Sequence, residues 1–459
     1  MRGRSGVSVL RQFVTSLSLV FVLESALGTA QPVSADWSSQ FASEHLDLNV
    51  QAIAVYEDQL VVGGAFTMGG VNVVNRIALW NGSSWEPLGT GLNGLVNALA
   101  VYDGKLYVGG TFTQAGGQPA ARIACWDGAD WSTVGTGMNG PVQALHVFEG
   151  ELYVGGSFSD AGGTTANNIA RWNGTSWNTV GTGVNQSVNA MASDADRLAV
   201  VGAFTTAGGG GANRAAIWNG TSWSAMGSGV SATALAVAIW DGDVVVGGTF
   251  LMAGSISVAH CAKWNGSTWQ SVGATFDTWV AGLEVYNGDL IATGFFELGG
   301  HGYIARTSGG GWSSVGGGLN AEGWTVHANG PHLYVGGFFT EAGTEVSHYV
   351  AAWSDVAVDV EPGPGASSGL ALRAAAPNPF REHISFSYEL PVRERMALRI
   401  YDARGRHVAT LEEGVREAGR HVAVWNGSSR ESSVGPGVYF AQLSAGAESR
   451  TTRFVRVAP

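Results

Sequence analysis

Seven side chains recur at one position of a repeat: Arg76, Arg122, Asn168, Arg214, His260, Tyr303 and Tyr349. Sevenfold geometry would set them in a ring of donors and aromatics. Such a ring suits a carboxylate, a glycan or a peptide, because Arg grips planar anions through two parallel bonds. A plainer role is open to the same residues: each can satisfy carbonyls of its own loop. Signals for catalysis are thinner. His260, His301 and His348 fall in loops of three consecutive repeats and would have to converge to hold a metal. Glu297, Glu341 and Glu345 could act as acid and base on a glycoside if their carboxylates stood at a suitable separation. There is no His pair at metal spacing, no Gly-x-Ser-x-Gly elbow and no phosphate loop before a helix. No catalytic residue, metal or cofactor is therefore assigned. A second ring, Asn93, Asn139 and Asn185, reads as turn chemistry, since Asn tolerates left-handed backbone. The Asn-Gly-Ser and Asn-Gly-Thr triplets match the glycosylation pattern, but their regular place in a turn favours a structural role.

What must position these residues is a repeat. Val62-Gly63-Gly64-Ala65-Phe66, Val108-Gly109-Gly110-Thr111-Phe112 and Val154-Gly155-Gly156-Ser157-Phe158 lie 46 residues apart, and four further copies follow up to Gly336-Gly337-Phe338-Phe339. Within one period, Val96 to Tyr102 and Lys105 to Phe112 are apolar runs split by Asp103-Gly104. Such a dipeptide supplies the positive φ of a tight hairpin turn. Ile123 to Trp126 and Trp131 to Gly135 are two more runs around Asp127-Gly128, after a polar loop from Thr113 to Ala121. Four short antiparallel strands per period of 40 to 50 residues predict a β-propeller blade. The near-continuous apolar character of the first two strands implies cover on both faces. The glycine pairs imply close approach of another backbone. Trp85, Trp131, Trp177, Trp223, Trp269 and Trp312 open six fourth strands, and the last period lacks its own. Trp37 stands alone before the first period, so it is expected to complete the last blade. The predicted fold is all-β: a seven-bladed propeller over 36–355, followed by an Ig-like β-sandwich.

The remaining chain divides readily. Residues 1–35 read as a signal peptide, with Arg2, Arg4 and Arg11 before the apolar stretch Phe13 to Leu23 and Val33-Ser34-Ala35 as a cleavage site, Gly28-Thr29-Ala30 being the rival. No later segment is long and apolar enough to span a membrane. Residues 356–371, rich in Pro, Gly and Ser, read as a linker. In 372–459, strands are expected at His383 to Leu390, Ala397 to Tyr401, Arg420 to Trp425, Val438 to Leu443 and Thr451 to Val457. A net charge of −12 argues against nucleic acid, whose phosphates need clustered Lys and Arg. Cys125 and Cys261 lie three repeats apart, beyond disulfide reach, and read as buried fillers.

Two resemblances add to this. Gly109-Gly110, Trp126 and Trp131 carry the pattern of kelch-type propeller repeats, and the repeat text is similar to that of the fungal cortical cell-polarity marker family. Pro377-Asn378-Pro379-Phe380, Ile400-Tyr401-Asp402 with Gly405-Arg406, Trp425-Asn426-Gly427 and Pro436-Gly437-Val438-Tyr439-Phe440 resemble the type A sorting domain of type IX secretion, which is similar to the Ig-like domain of flagellar hook-capping proteins. The second resemblance implies passage through the outer membrane, secretion machinery as a partner, and display or release at the cell surface, with the signal peptide taking the chain across the inner membrane; a match to the hook-capping type alone implies only a structural module. The expected function is a protein- or glycan-binding module. The alternative is an extracellular glycoside hydrolase or lyase on the same face. Either site is expected where the repeats differ most, at Leu251 to Ala259, Glu297 to Tyr303 and Thr340 to Tyr349.

Overall fold

A computed structural model describes residues 36–273, 276–298, 301–355, 370–372, 384–402, 404–416, 419–425, 427, 434–446 and 448–456. The expected signal peptide, most of the linker and the Pro377–Phe380 motif lie outside the described residues. Apart from a 3-10 turn at Ser39–Phe41, every described element is a strand. No described helix is long and apolar enough to cross a membrane.

Residues 36–355 form propeller-like four-stranded antiparallel sheets, seven of them among the described residues. In one, Val96–Tyr102, Lys105–Gly110, Ile123–Trp126 and Trp131–Thr133 pair in chain order. The hairpin turn between the first two has Asp103 at φ 49° and Gly104 at φ 70°, as the sequence requires. The innermost strands pack side by side in chain order, and Gly323–Asn329 of the last sheet returns to Val50–Tyr56 of the first.

The glycine doublet sets how closely the sheets stack. A Cβ built on Gly247 would sit 2.6 Å from Cγ1 of Val280, and one on Gly336 2.6 Å from Cγ1 of Val50. Gly63, Gly109 and Gly155 face Val96, Val142 and Val188 in the same way. The first glycine thus yields to a neighbouring side chain, not to a backbone as expected. The second does face backbone: a Cβ on Gly110 would run into the Leu95 carbonyl.

Tryptophan ties each sheet to the one before it. Nε1 of Trp131, Trp177, Trp223 and Trp269 donates to the carbonyl 43 residues earlier, at Leu88, Val134, Val180 and Met226, over 2.7 to 3.2 Å. Trp37 closes the set. Asp36–Trp37 pairs with Val350–Ser354 as the fourth strand of the last sheet, and Trp37 Nε1 donates to Gly316 O at 3.0 Å.

The connection from Thr113 to Ala121 is more ordered than its composition suggests. Gln114–Ala115 and Gln118–Pro119 form a small hairpin, turned at Gly116 and Gly117, and Leu92 bridges to Ala115 from the preceding connection. The arrangement repeats at Met138 with Ala161, Val184 with Ala207 and Val230 with Ala253.

Farther along, Ala371–Leu372, Ile384–Leu390 and Gly419–Trp425 form one sheet, and Glu394–Asp402, His407–Arg416, Gly437–Ala445 and Glu448–Arg456 another. Their apolar faces share one core, including Phe386, Tyr388, Leu398, Ile400, Leu443 and Phe454. The strand His407–Arg416 is missing from the sequence reading. It is an edge strand with Glu412, Glu413 and Arg416, and charge on an edge, which blocks further pairing, hides the usual alternation.

Replacing Trp37 with Ala should lower stability by roughly 3–5 kcal/mol, the range for a buried aromatic. Urea denaturation of the wild type and the variant measures this; an unchanged midpoint would mean that the pairing does not hold the last sheet.

Candidate functional site

Tight turns occupy one end of the sheets, and the hairpins and inter-sheet connections occupy the other. Binding residues usually sit on connections held by a rigid scaffold. The seven predicted ring residues are all at that second end, and all share one unusual backbone state. Their φ values are 73° at Arg76, 63° at Arg122, 62° at Asn168, 66° at Arg214, 75° at His260, 73° at Tyr303 and 70° at Tyr349. A left-handed residue is needed there because the chain must turn from the hairpin into strand three. Arg122 N donates to Phe112 O, and Arg122 O accepts from Gly110 N; the same two bonds recur at Arg214 and His260.

The ring side chains do not converge on a common point. Each is partly buried; five are turned to nearby backbone, while Tyr303 and Tyr349 lie against the rings of Phe295 and His348. Asn168 Nδ2 donates to Val184 O at 2.8 Å and Arg214 Nη1 to Val230 O at 3.1 Å. Arg122 reaches Met138 O at 3.4 Å, Arg76 bonds Ala65 O, and His260 Nδ1 lies 3.2 Å from Gly248 O. The loop-satisfying role is thus visible in the bonds. The Asn93, Asn139 and Asn185 ring differs from its expected reason. Their φ values are not positive; instead Asn93 Oδ1 accepts from Thr113 N and Gln114 N at 2.8 and 2.9 Å, and Asn139 and Asn185 repeat this. Asn219 Oδ1 accepts from Thr221 N and Ser222 N, so the Asn-Gly-Thr triplet builds its own turn.

The other candidates scatter. His348 stacks on His45 at a centroid distance of 4.0 Å, and burial and that neighbour hold its pKa below the usual histidine value. Among the described residues no group of three His, Cys, Asp or Glu is placed to hold a metal. Cys125 and Cys261 are buried and free. Glu341 and Glu345 belong to the last small hairpin, and Glu297 pairs with Gly302 in the sheet before it. One carboxyl not singled out in the sequence is perturbed. Burial of Glu284 on an innermost strand pushes it up to about 7, against N–H bonds from Val285 and Ala328.

A different set of residues does come together. Trp279 and Phe295 are 5.5 Å apart, Trp279 and Trp324 6.3 Å, Trp324 and Phe338 5.8 Å, and Phe295 and Tyr303 6.5 Å. Phe295, Trp324 and Phe338 are 41%, 39% and 42% exposed, so the group opens to solvent. Phe295 N donates to Trp279 O, as Thr111 N does to Leu95 O and Phe338 N to Glu322 O, which fixes these as equivalent positions. The five earlier sheets carry Ala65, Thr111, Ser157, Ala203 and Thr249 where the last two carry Phe295 and Phe338. Aligning the periods exposes this departure in the sequence; Tyr303 is the one member the sequence reading included.

Two stretches of the chain, residues 103–127 and 150–174, match the family described as "Domain of unknown function (DUF5122) beta-propeller". The four-stranded sheets and this match define a propeller-type repeat. No curated protein matches the chain. The crystal structure of the computationally designed Ika8 protein is similar over 71% of this chain and 99% of its own, with a TM-score of 0.44 and 15% identity.

At Arg122 a glycine should be tolerated better than an alanine, because both lose the guanidinium bond but only alanine strains a φ of 63°. The expected order in urea denaturation is wild type, Arg122→Gly, Arg122→Ala, with about 1 kcal/mol between the two variants. Equal stability of all three would leave the ring side chains without a structural role.

Proposed function

We propose that this chain is an exported, seven-bladed, kelch-like propeller that binds a protein or glycan ligand at the cell surface through its connection-rich face. Residues 372–459 serve as an Ig-like sorting or anchoring module. The aromatic group in the last two blades carries the binding reading. Exposed large aromatics cost solubility, and here they break a repeat that keeps small residues at Ala65, Thr111 and Ser157. A rigid ring with one deviant sector suits recognition. Arg76, Arg122, Asn168, Arg214 and His260 act in this reading chiefly as loop clamps that hold the face in shape, Tyr349 packs on His348, and Tyr303 joins the aromatic group. Export is supported by the charged-then-apolar beginning of the chain, and sorting by the motifs around Ile400-Tyr401-Asp402 and Pro436-Gly437-Val438-Tyr439-Phe440.

Two measurements test this. In the host organism, deletion of 372–459 should leave a folded propeller in the periplasm; normal amounts at the surface or in the medium would overturn the sorting role. An array of glycans and peptides probed with the protein should give ligands whose binding falls in Trp324→Ala. Turnover of a glycan on the array, in place of retention, would favour the hydrolase or lyase.

A further inference from the structure

We infer that the exposed aromatic group of the last two blades binds a basic peptide segment, one presenting Arg or Lys side chains; this rests on the binding-module reading above and names its ligand class. The first ground is charge. Residues 276–355 contain eight Asp and Glu but a single Arg and no Lys, and between Lys263 and Arg373 the only basic residue besides His is Arg306. Arg306 is already held by Asp289 and Asp355 at 2.5 Å each. Asp277, Glu297 and Glu322 therefore have no Lys or Arg of this stretch to pair with. These three lie at the aromatic group: Glu297 N donates to Asp277 Oδ1 at 3.0 Å, and Glu322 O accepts from Phe338 N at 2.8 Å. Their fields, after burial, hold the Tyr303 phenol above its ordinary pKa.

The second ground is the shape of the group. Neighbouring rings are inclined by 47° for Trp279 with Phe295, 68° for Trp279 with Trp324, 57° for Trp324 with Phe338 and 85° for Phe295 with Tyr303. Inclined rings offer several faces in different directions and no single continuous platform for a run of sugars. Ring faces carry negative potential, and a cation within about 6 Å of a centroid is attracted to them, most strongly by Trp. Arg suits such a place doubly, since its guanidinium stacks on a ring while its fork bonds a carboxylate. An anionic ligand meets the opposite: three like charges and negative ring faces. Elsewhere on the same face acids such as Asp47 and Asp160 are accompanied by Arg76, Arg122 and Arg214, whereas this sector has no basic counterpart beyond the already paired Arg306.

Calorimetric titration of the protein with capped hexa-arginine, hexa-lysine, hexa-glutamate and cellohexaose tests the inference. Hexa-arginine should bind, hexa-lysine more weakly and hexa-glutamate not at all, with affinity falling as salt rises. Trp324→Ala and Phe338→Ala should each weaken hexa-arginine binding tenfold or more, while Val71→Ser, on an exposed residue of another blade, leaves it unchanged. Glu297→Gln with Glu322→Gln should weaken it severalfold and flatten the salt dependence without removing a ring. This pair keeps the test valid if the ring variants misfold. Hexa-arginine binding equally to every variant would reveal a diffuse acidic surface and overturn the proposal. Cellohexaose binding that Trp324→Ala abolishes, without hexa-arginine binding, would overturn the basic ligand but keep the binding module. Absence of hexa-arginine binding overturns the proposal in any case.

Discussion

A side chain from one sheet enters the space that a glycine leaves in the next, and the stacking of the sheets depends on that fit. Val96, Val142, Val188 and Val280 are fully buried opposite Gly63, Gly109, Gly155 and Gly247. Where the glycine is replaced, its partner shrinks. Val201 stands in the glycine position and meets Ala234, and Thr293 stands there and meets Gly323. Protein interiors are packed as tightly as organic crystals, so a pair too large or too small is felt at once. The last pair, Gly336 with Val50, joins the end of the set to its beginning. Thr293 adds a hydroxyl to this buried seam, and Tyr303 O accepts its hydrogen bond at 2.7 Å, so that hydroxyl is satisfied.

The tryptophan bonds add direction to this packing. An indole N–H buried without a partner is costly, and each carbonyl it meets belongs to the previous sheet. Neighbouring sheets are therefore locked in angle as well as distance. The small hairpins and the Asn clamps extend this order onto the connection-rich face. A scaffold fixed in this way can carry an exposed aromatic sector without refolding around it. That sector begins at Trp279 and ends at Phe338, in the stretch where the period departs from 46 residues to 43.

Much of this was legible in the residues. The period, the four strands, the two turns and the place of Trp37 all follow from local chemistry that repeats, and repetition separates such signals from chance. The purpose of the first glycine was only half legible, because its partner is 33 residues away in Val142 for Gly109 and nothing local points there. The compensation at Val201 and Ala234 is invisible until the two are known to touch. The ring at Arg122 was found by alignment, yet its left-handed backbone was not, since Arg and Tyr rarely mark such a turn. The edge strand at His407–Arg416 was lost because its exposed face is charged. The departures in the loops pointed to the right blades, but the aromatic sector itself sits at strand ends, Phe295 and Phe338, just outside the loop stretches 297–303 and 340–349. Its signal is a difference, with bulky rings at Phe295 and Phe338 where five equivalents are small.

The fit between neighbouring sheets is tested most directly by a double-mutant cycle at Gly109 and Val142. Gly109→Val alone overfills the contact and should cost about 1–3 kcal/mol. Val142→Ala alone leaves a void and should also destabilise. Together they recreate the pairing already present at Val201 and Ala234. The account predicts that the double variant recovers much of the loss, with a coupling energy of roughly 1–3 kcal/mol in urea denaturation. Additive losses, with no recovery in the double variant, would contradict it.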